Sequence, residues 1–215
     1  MELMDNKVFA KIFMWMFIGL AITFGVGYYV SCNANMLYNV FAKGYLILSI
    51  VELLVVIVLS MCINKLSPIV AKILFCVYSF LTGLTFSAIF VVYELTSIIY
   101  VFGITSLVFL IFALIGYYTK IDLSKLGVYL FIGLVAIIIA SIINVFVGSE
   151  TFDLGLTIIA ILVFIGYVAY DINVIKRNLQ FYNQENIAIY GALQLYLDFI
   201  NLFIRLLKLF AKERN

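Results

Sequence analysis

The chain has 215 residues, of which 67% are hydrophobic and 11% charged, with a formal net charge of +2. A soluble domain carries about 25% charged residues, so a soluble enzyme or a nucleic-acid-binding module is excluded and an integral membrane protein is expected. The chain has no histidine, which argues against a zinc site and leaves carboxylates as the simplest groups able to respond to pH near neutrality.

Seven apolar stretches follow one another, each of 17 or more residues, and a membrane-spanning helix needs about 20. Ile12–Ala42 carries no charge. It is long enough to span and no A-x-A-like cleavage site follows, so it reads as a retained span. Gly44–Asn64 holds one charge, Glu52, near its middle. Such an acid either lines an ion path or is a protonated group bonded to a neighbouring helix. Ile73–Tyr93 follows Ser67-Pro68, a break marked by the only proline. Its Ser79, Thr82, Gly83, Thr85 and Ser87 are small residues that favour close helix packing. Leu95–Thr119 precedes Asp122-Leu123-Ser124, a loop and helix cap before Leu126–Ser149. Leu154–Tyr170 is closed by Asp171, after Tyr167 and Tyr170. The polar link 176–185 then leads to Asn186–Ile204, whose only charge is Asp198. The expectation is an all-α integral membrane protein, one seven-helix domain over residues 1–215. Cys32, Cys62 and Cys76 lack metal-ligand spacing and read as small apolar residues.

Basic residues give the orientation. With the N-terminus in the cytoplasm, Lys7, Lys11, Lys65, Lys72, Lys120, Lys125, Lys176 and Arg177 lie inside, and the outer loops hold only Lys43. This is a strong positive-inside bias. Arg205, Lys208, Lys212 and Arg214 break it if the last segment crosses fully. That segment either crosses or lies on the surface with its tail inside.

The last segment carries the most informative pattern. Tyr190, Gln194, Asp198, Asn201, Arg205 and Lys208 recur every three or four residues and fall on one stripe of a helix. An acid at a bilayer centre costs roughly 2.5–3.5 kcal/mol, so Asp198 must face protein, water or a partner charge. Neighbouring helices can bring Asp171 against Asp198. Two touching carboxyls cannot both ionise cheaply and share a proton, which makes a latch: joined when protonated, repelling when both ionise. The alternative for Asp171 is an interfacial residue wetted by headgroups. Asn201 and Gln194 add neutral oxygens to an ion path. Arg205 and Lys208 would repel a cation, or pair with the acids and plug the path.

Two helix-borne aspartates also occur in intramembrane aspartyl proteases, and Tyr170-Asp171 resembles their first motif. Their second, Gly-x-Gly-Asp, is replaced here by Leu195-Tyr196-Leu197-Asp198, and their Pro-Ala-Leu signature is absent. An enzyme is not expected.

Three stretches together resemble the Bax inhibitor family of transmembrane Bax-inhibitor-motif proteins, in particular its bacterial pH-sensitive calcium-leak type. They are Leu81-Thr82-Gly83-Leu84-Thr85-Phe86-Ser87, the run 116–124 from Gly116-Tyr117-Tyr118 to Asp122-Leu123-Ser124, and the run 192–203 around Tyr196-Leu197-Asp198-Phe199. The resemblance implies seven helices, the last central and wrapped by two three-helix layers. It implies a calcium leak in which Asp171 and Asp198 form the proton-sensing pair and a weak calcium transit site, with Glu52 matching the acid near the pore. Calcium would be the transported species, with no tightly bound cofactor, in a bacterial inner membrane. Lipid, calcium ions and protons would be its partners, with no nucleic acid. Bacterial relatives often carry an arginine after the second-helix acid; Ser60-Met61-Cys62-Ile63-Asn64 has none, and Lys65 is the only basic residue before Leu66-Ser67-Pro68. The competing reading is a non-conducting regulator that acts through helix contacts with other membrane proteins.

Overall fold

Apolar stretches become helices here because lipid offers no partner for backbone N–H and C=O groups, and a helix satisfies them within one segment. The computed structural model describes residues 2–63, 65–179 and 184–214, and the side chains of all these except 2–6, 43, 45 and 184. Helix α1 covers Glu2–Ser31, α2 Ala34–Tyr38, α3 Tyr45–Cys62, α4 Pro68–Val92, α5 Leu95–Tyr118, α6 Leu126–Val147, α7 Glu150–Asn178 and α8 Gln184–Phe210.

The first apolar stretch is not one helix. Asn33 interrupts it, its side chain accepting from the Met36 amide at 3.2 Å, and so caps a new helix. A π-helical turn, Asn39–Gly44, then leads into α3. Ser67 caps α4 with Pro68 in its first turn, where a missing N–H costs nothing. Helix α6 stops at Gly148, whose φ of 67° is the left-handed conformation of a helix end. Among the described residues, six helices are long and apolar enough to cross a membrane. The pair Ala34–Ala42 and Leu46–Cys62, bent by 78°, makes a seventh if it is one span.

The chain divides into two compact units. The first comprises Met1–Leu95, Asn178–Tyr196 and Glu213–Asn215; the second comprises Thr96–Arg177 and Leu197–Lys212. Both draw on α8, and 72% of its span is buried, against 11% to 44% for the other five.

In the first unit α1 lies against α4. Gly83 permits the approach, since a methyl there would sit 3.0 Å from the Thr23 carbonyl oxygen and 2.8 Å from Val26 Cβ. Phe24 meets Phe86 and Phe90 edge-on, and Trp15 meets Phe75 likewise. At one end Glu185 pairs with Lys11 and with Lys72. Asn186 Nδ2 donates to the Ile63 and Leu66 carbonyls, each at 3.1 Å. At the other end the Arg214 amide donates to the Val92 carbonyl at 2.8 Å, and Tyr93 and Glu213 form an isolated bridge. The chain therefore travels from one end of α4 to the other between residues 185 and 214. Together with its burial, this supports α8 as a candidate membrane span.

In the second unit Phe199 of α8 stacks against Phe102 and Phe109 of α5, with centroids 5.2 and 5.7 Å apart. Gly116 of α5 lies so close to Ala169 of α7 that an added methyl would overlap the Ala169 backbone. Large apolar side chains such as Phe17, Tyr129 and Phe146 point outward, as lipid-facing residues do.

Candidate functional site

Asp171 lies two turns before the end of α7 and Asp198 midway along α8. Both side chains are buried, at 7% and 5% exposure. The two carboxyls are close neighbours. No donor among the described residues reaches the buried Asp198 Oδ2. No basic side chain among the described residues forms an ion pair with either acid. The titratable neighbours are Tyr167, near both acids, and Tyr170, whose hydroxyl lies against Gly127 of α6.

Glu52 belongs to the first unit. It is half-buried and accepts from Thr82 Oγ1 at 2.8 Å. The same hydroxyl lies 3.0 Å from the Tyr78 carbonyl, so one proton serves two acceptors. Nearby, Tyr196 is fully buried and meets Phe75 and Tyr78 edge-on. Its hydroxyl is 2.6 Å from Thr23 Oγ1, which donates to the Ser79 carbonyl at 2.9 Å.

The polar stripe is the more accessible side of α8. Tyr190, Gln194, Asn201 and Arg205 are half-buried and Lys208 is exposed, while residues between them are mostly buried. Asp198 is the buried member of the stripe. Asn201 Nδ2 turns back to its own helix, donating to the Leu197 carbonyl at 2.8 Å. Lys208 pairs with Asp153 of α7 rather than with the acid pair. Arg205 forms no ion pair with a described residue. Among the described residues, no group of three or more His, Cys, Asp or Glu side chains could hold a metal ion.

The family model described as "Inhibitor of apoptosis-promoting Bax1" matches residues 5–215. The chain belongs to the Bax inhibitor family. It is 40% identical to the inner membrane protein YbhL of Escherichia coli K12 over 213 residues, 95% of this chain and 91% of that protein. It is 38% identical to an uncharacterised protein of Borreliella burgdorferi over 220 residues, covering 99% and 95% of the two chains. An uncharacterised protein of Deinococcus radiodurans is 38% identical over 204 residues, covering 93% and 88%.

Two features of this Bax inhibitor family chain escape a reading of the sequence. Thr82 reads as a packing residue, yet its hydroxyl is the donor to Glu52. Asn173, two residues after Asp171, carries no pattern of its own, yet it is buried and makes four polar contacts. The loop it holds includes Asp122, where the Ser124 hydroxyl and amide, the amide at 2.9 Å, hold the carboxyl below its ordinary pKa.

Proposed function

We propose that this protein is a pH-sensitive calcium leak channel of a bacterial inner membrane, gated by a proton shared between Asp171 and Asp198. The supporting observation is the proximity of two buried carboxyls from different helices, with no ion pair to a basic side chain among the described residues. In an apolar surround, two negative charges in contact repel strongly, so the ionisation state sets whether α7 and α8 hold together there. At low pH the shared proton joins them and the path is closed. As pH rises the proton leaves, the charges repel, and the acids can meet calcium. Two carboxyls fall short of the six to eight oxygens that calcium prefers. The site is therefore one of weak transit, completed by water and by groups such as Gln194 and Asn201, with Glu52 attracting the cation along the path. The bent pair counts as one span, giving seven helices in one domain with α8 central and the N-terminus cytoplasmic. No enzymatic activity or resident cofactor belongs to this reading.

The test is calcium flux into liposomes that hold the purified protein, across pH 5 to 8. Flux should rise with pH, and Asp171→Asn and Asp198→Asn should each flatten that dependence, because the proton belongs to the pair. A wild-type pH profile in either variant would sink the latch. The family description, an inhibitor of an apoptosis-promoting protein, favours as a second reading a non-conducting regulator of other membrane proteins. Absence of flux at every pH would favour that reading.

A further inference from the structure

The end of α7 holds the loop that joins α5 to α6. Asn173 is 2% exposed. Its Nδ2 donates to the Gly116 carbonyl at 3.2 Å and the Ile121 carbonyl at 3.3 Å. Its Oδ1 accepts from the Leu123 amide and from Arg177 Nε, each at 3.1 Å. A side-chain amide has two donor hydrogens and two acceptor lone pairs, so every polar valence of this residue is used. The next turn continues the pattern. Lys176 Nζ donates to the Tyr117 carbonyl at 2.7 Å and sits over the Tyr117 ring. Arg177 Nη2 donates to the Lys120 carbonyl at 3.2 Å, and Arg177 Nε lies 3.8 Å from Asp122 Oδ1. Helix α5 ends at Tyr118, so Gly116 and Tyr117 carry carbonyls that the helix leaves unpaired. Helix α7 supplies their donors, and its two cations suit the negative end of α5.

Asn173 and Asp171 are two residues apart, about 200° around the helix and about 3 Å along it. One faces the α5–α6 loop and the other faces Asp198. Helix α7 is thus held from opposite sides by two polar contacts. If the aspartates part, α7 must either break the Asn173 set, leaving buried polar groups unpaired, or carry the loop with it. Unpaired buried groups are the costlier outcome. We propose that Asn173 is a positioning residue that keeps Asp171 in register with Asp198, and that the α5–α6 loop moves with the end of α7 when the pair opens. This rests on the latch reading of the pair. Lys120, Asp122, Lys125, Lys176 and Arg177 are the charged groups around the loop and the end of α7. Tyr167 and Tyr170 of α7 are the titratable neighbours of the pair.

The experiment places a spin label at Lys125→Cys, an exposed loop position, in full-length protein with Cys32, Cys62 and Cys76 replaced by serine. Label mobility and calcium flux are both followed from pH 5 to 8 in liposomes. Mobility should change with pH at the midpoint of the flux, and Asp171→Asn should abolish the change. Asn173→Leu should shift the flux midpoint by about half a pH unit or more, roughly threefold in proton affinity. Should that variant not fold, Arg177→Gln should do the same to a smaller degree. A merely structural role would lower protein yield or maximal flux and leave the midpoint in place. A label indifferent to pH while flux responds, or an unmoved midpoint in the folded variants, overturns the inference. A label that follows pH through Asp171 in a protein without flux keeps the positioning role and overturns the leak. A label and a flux both indifferent to pH overturn both.

Discussion

Glu52 and Asp198 are both acids in apolar helices, yet their surroundings assign them different work. Glu52 keeps partial access and receives the Thr82 hydroxyl; Asp198 is buried near another carboxyl. Thr82→Val removes the donor with little change in volume and should cost about 0.5–1.5 kcal/mol, the usual net value of a hydrogen bond, read by thermal unfolding in detergent. Glu52→Gln should lower calcium flux while the fold survives, since it removes the charge that attracts a divalent cation. Unchanged flux would leave Glu52 a structural acid. Asp122, outside the spans, is not a rival sensor. Its pKa is depressed chiefly by the Ser124 hydroxyl and then by the Ser124 amide. A depressed carboxyl contributes stability above its unfolded value, near ~3.9, and loses it only as pH falls through the lower folded value. That window lies below pH 5. Ser124→Ala should raise the Asp122 titration toward the ordinary range in a carboxyl NMR titration, without moving the flux midpoint.

At the scale of the helices, closeness of approach is set by missing side chains. The meeting of α5 and α7 at Gly116 and Ala169 leaves no room for a methyl, whereas a methyl at Gly103, on the same α5, meets nothing within 4 Å. Gly116→Ala should therefore destabilise by roughly 1–3 kcal/mol, the usual cost of overpacking, while Gly103→Ala should be neutral or slightly stabilising. Equal melting temperatures for the two variants would contradict the packing described. Because Gly116 also presents its carbonyl to Asn173, its substitution should disturb the loop contacts as well as the helix pair.

For the molecule as a whole, the course of α8 is anchored by charge at its start and by backbone pairing beyond its end. Glu185 receives Lys11 and Lys72, all three side chains about a third or more exposed. Such pairs are worth about 0.2–1 kcal/mol each and weaken with salt. Glu185→Gln should lower thermal stability modestly at low ionic strength, with the difference from the unaltered protein shrinking at high salt. Cysteines introduced at Lys7 and at Lys212 should react with a membrane-impermeant reagent from opposite sides, Lys7 from the cytoplasm. Reaction of both from one side would return α8 to the surface-helix alternative.

Sequence alone determined that this is a helical membrane protein, because apolar length and scarcity of charge are local quantities that a bilayer reads directly. It also singled out Asp171, Asp198 and Glu52, since an ionisable group in an apolar run stands out without any knowledge of its neighbours. The break at Asn33 was harder to see, because a capping side chain matters only once the backbone turns beneath it. Tertiary structure decided what the acids meet. It buried Asp171 and Asp198, gave Glu52 its donor in Thr82, and placed Lys208 on Asp153. It also buried most of α8, a segment whose sequence fits either a span or a surface helix. The role of Asn173 was invisible beforehand for the same reason: its four partners are backbone groups and one cation, and only folding brings them to one point.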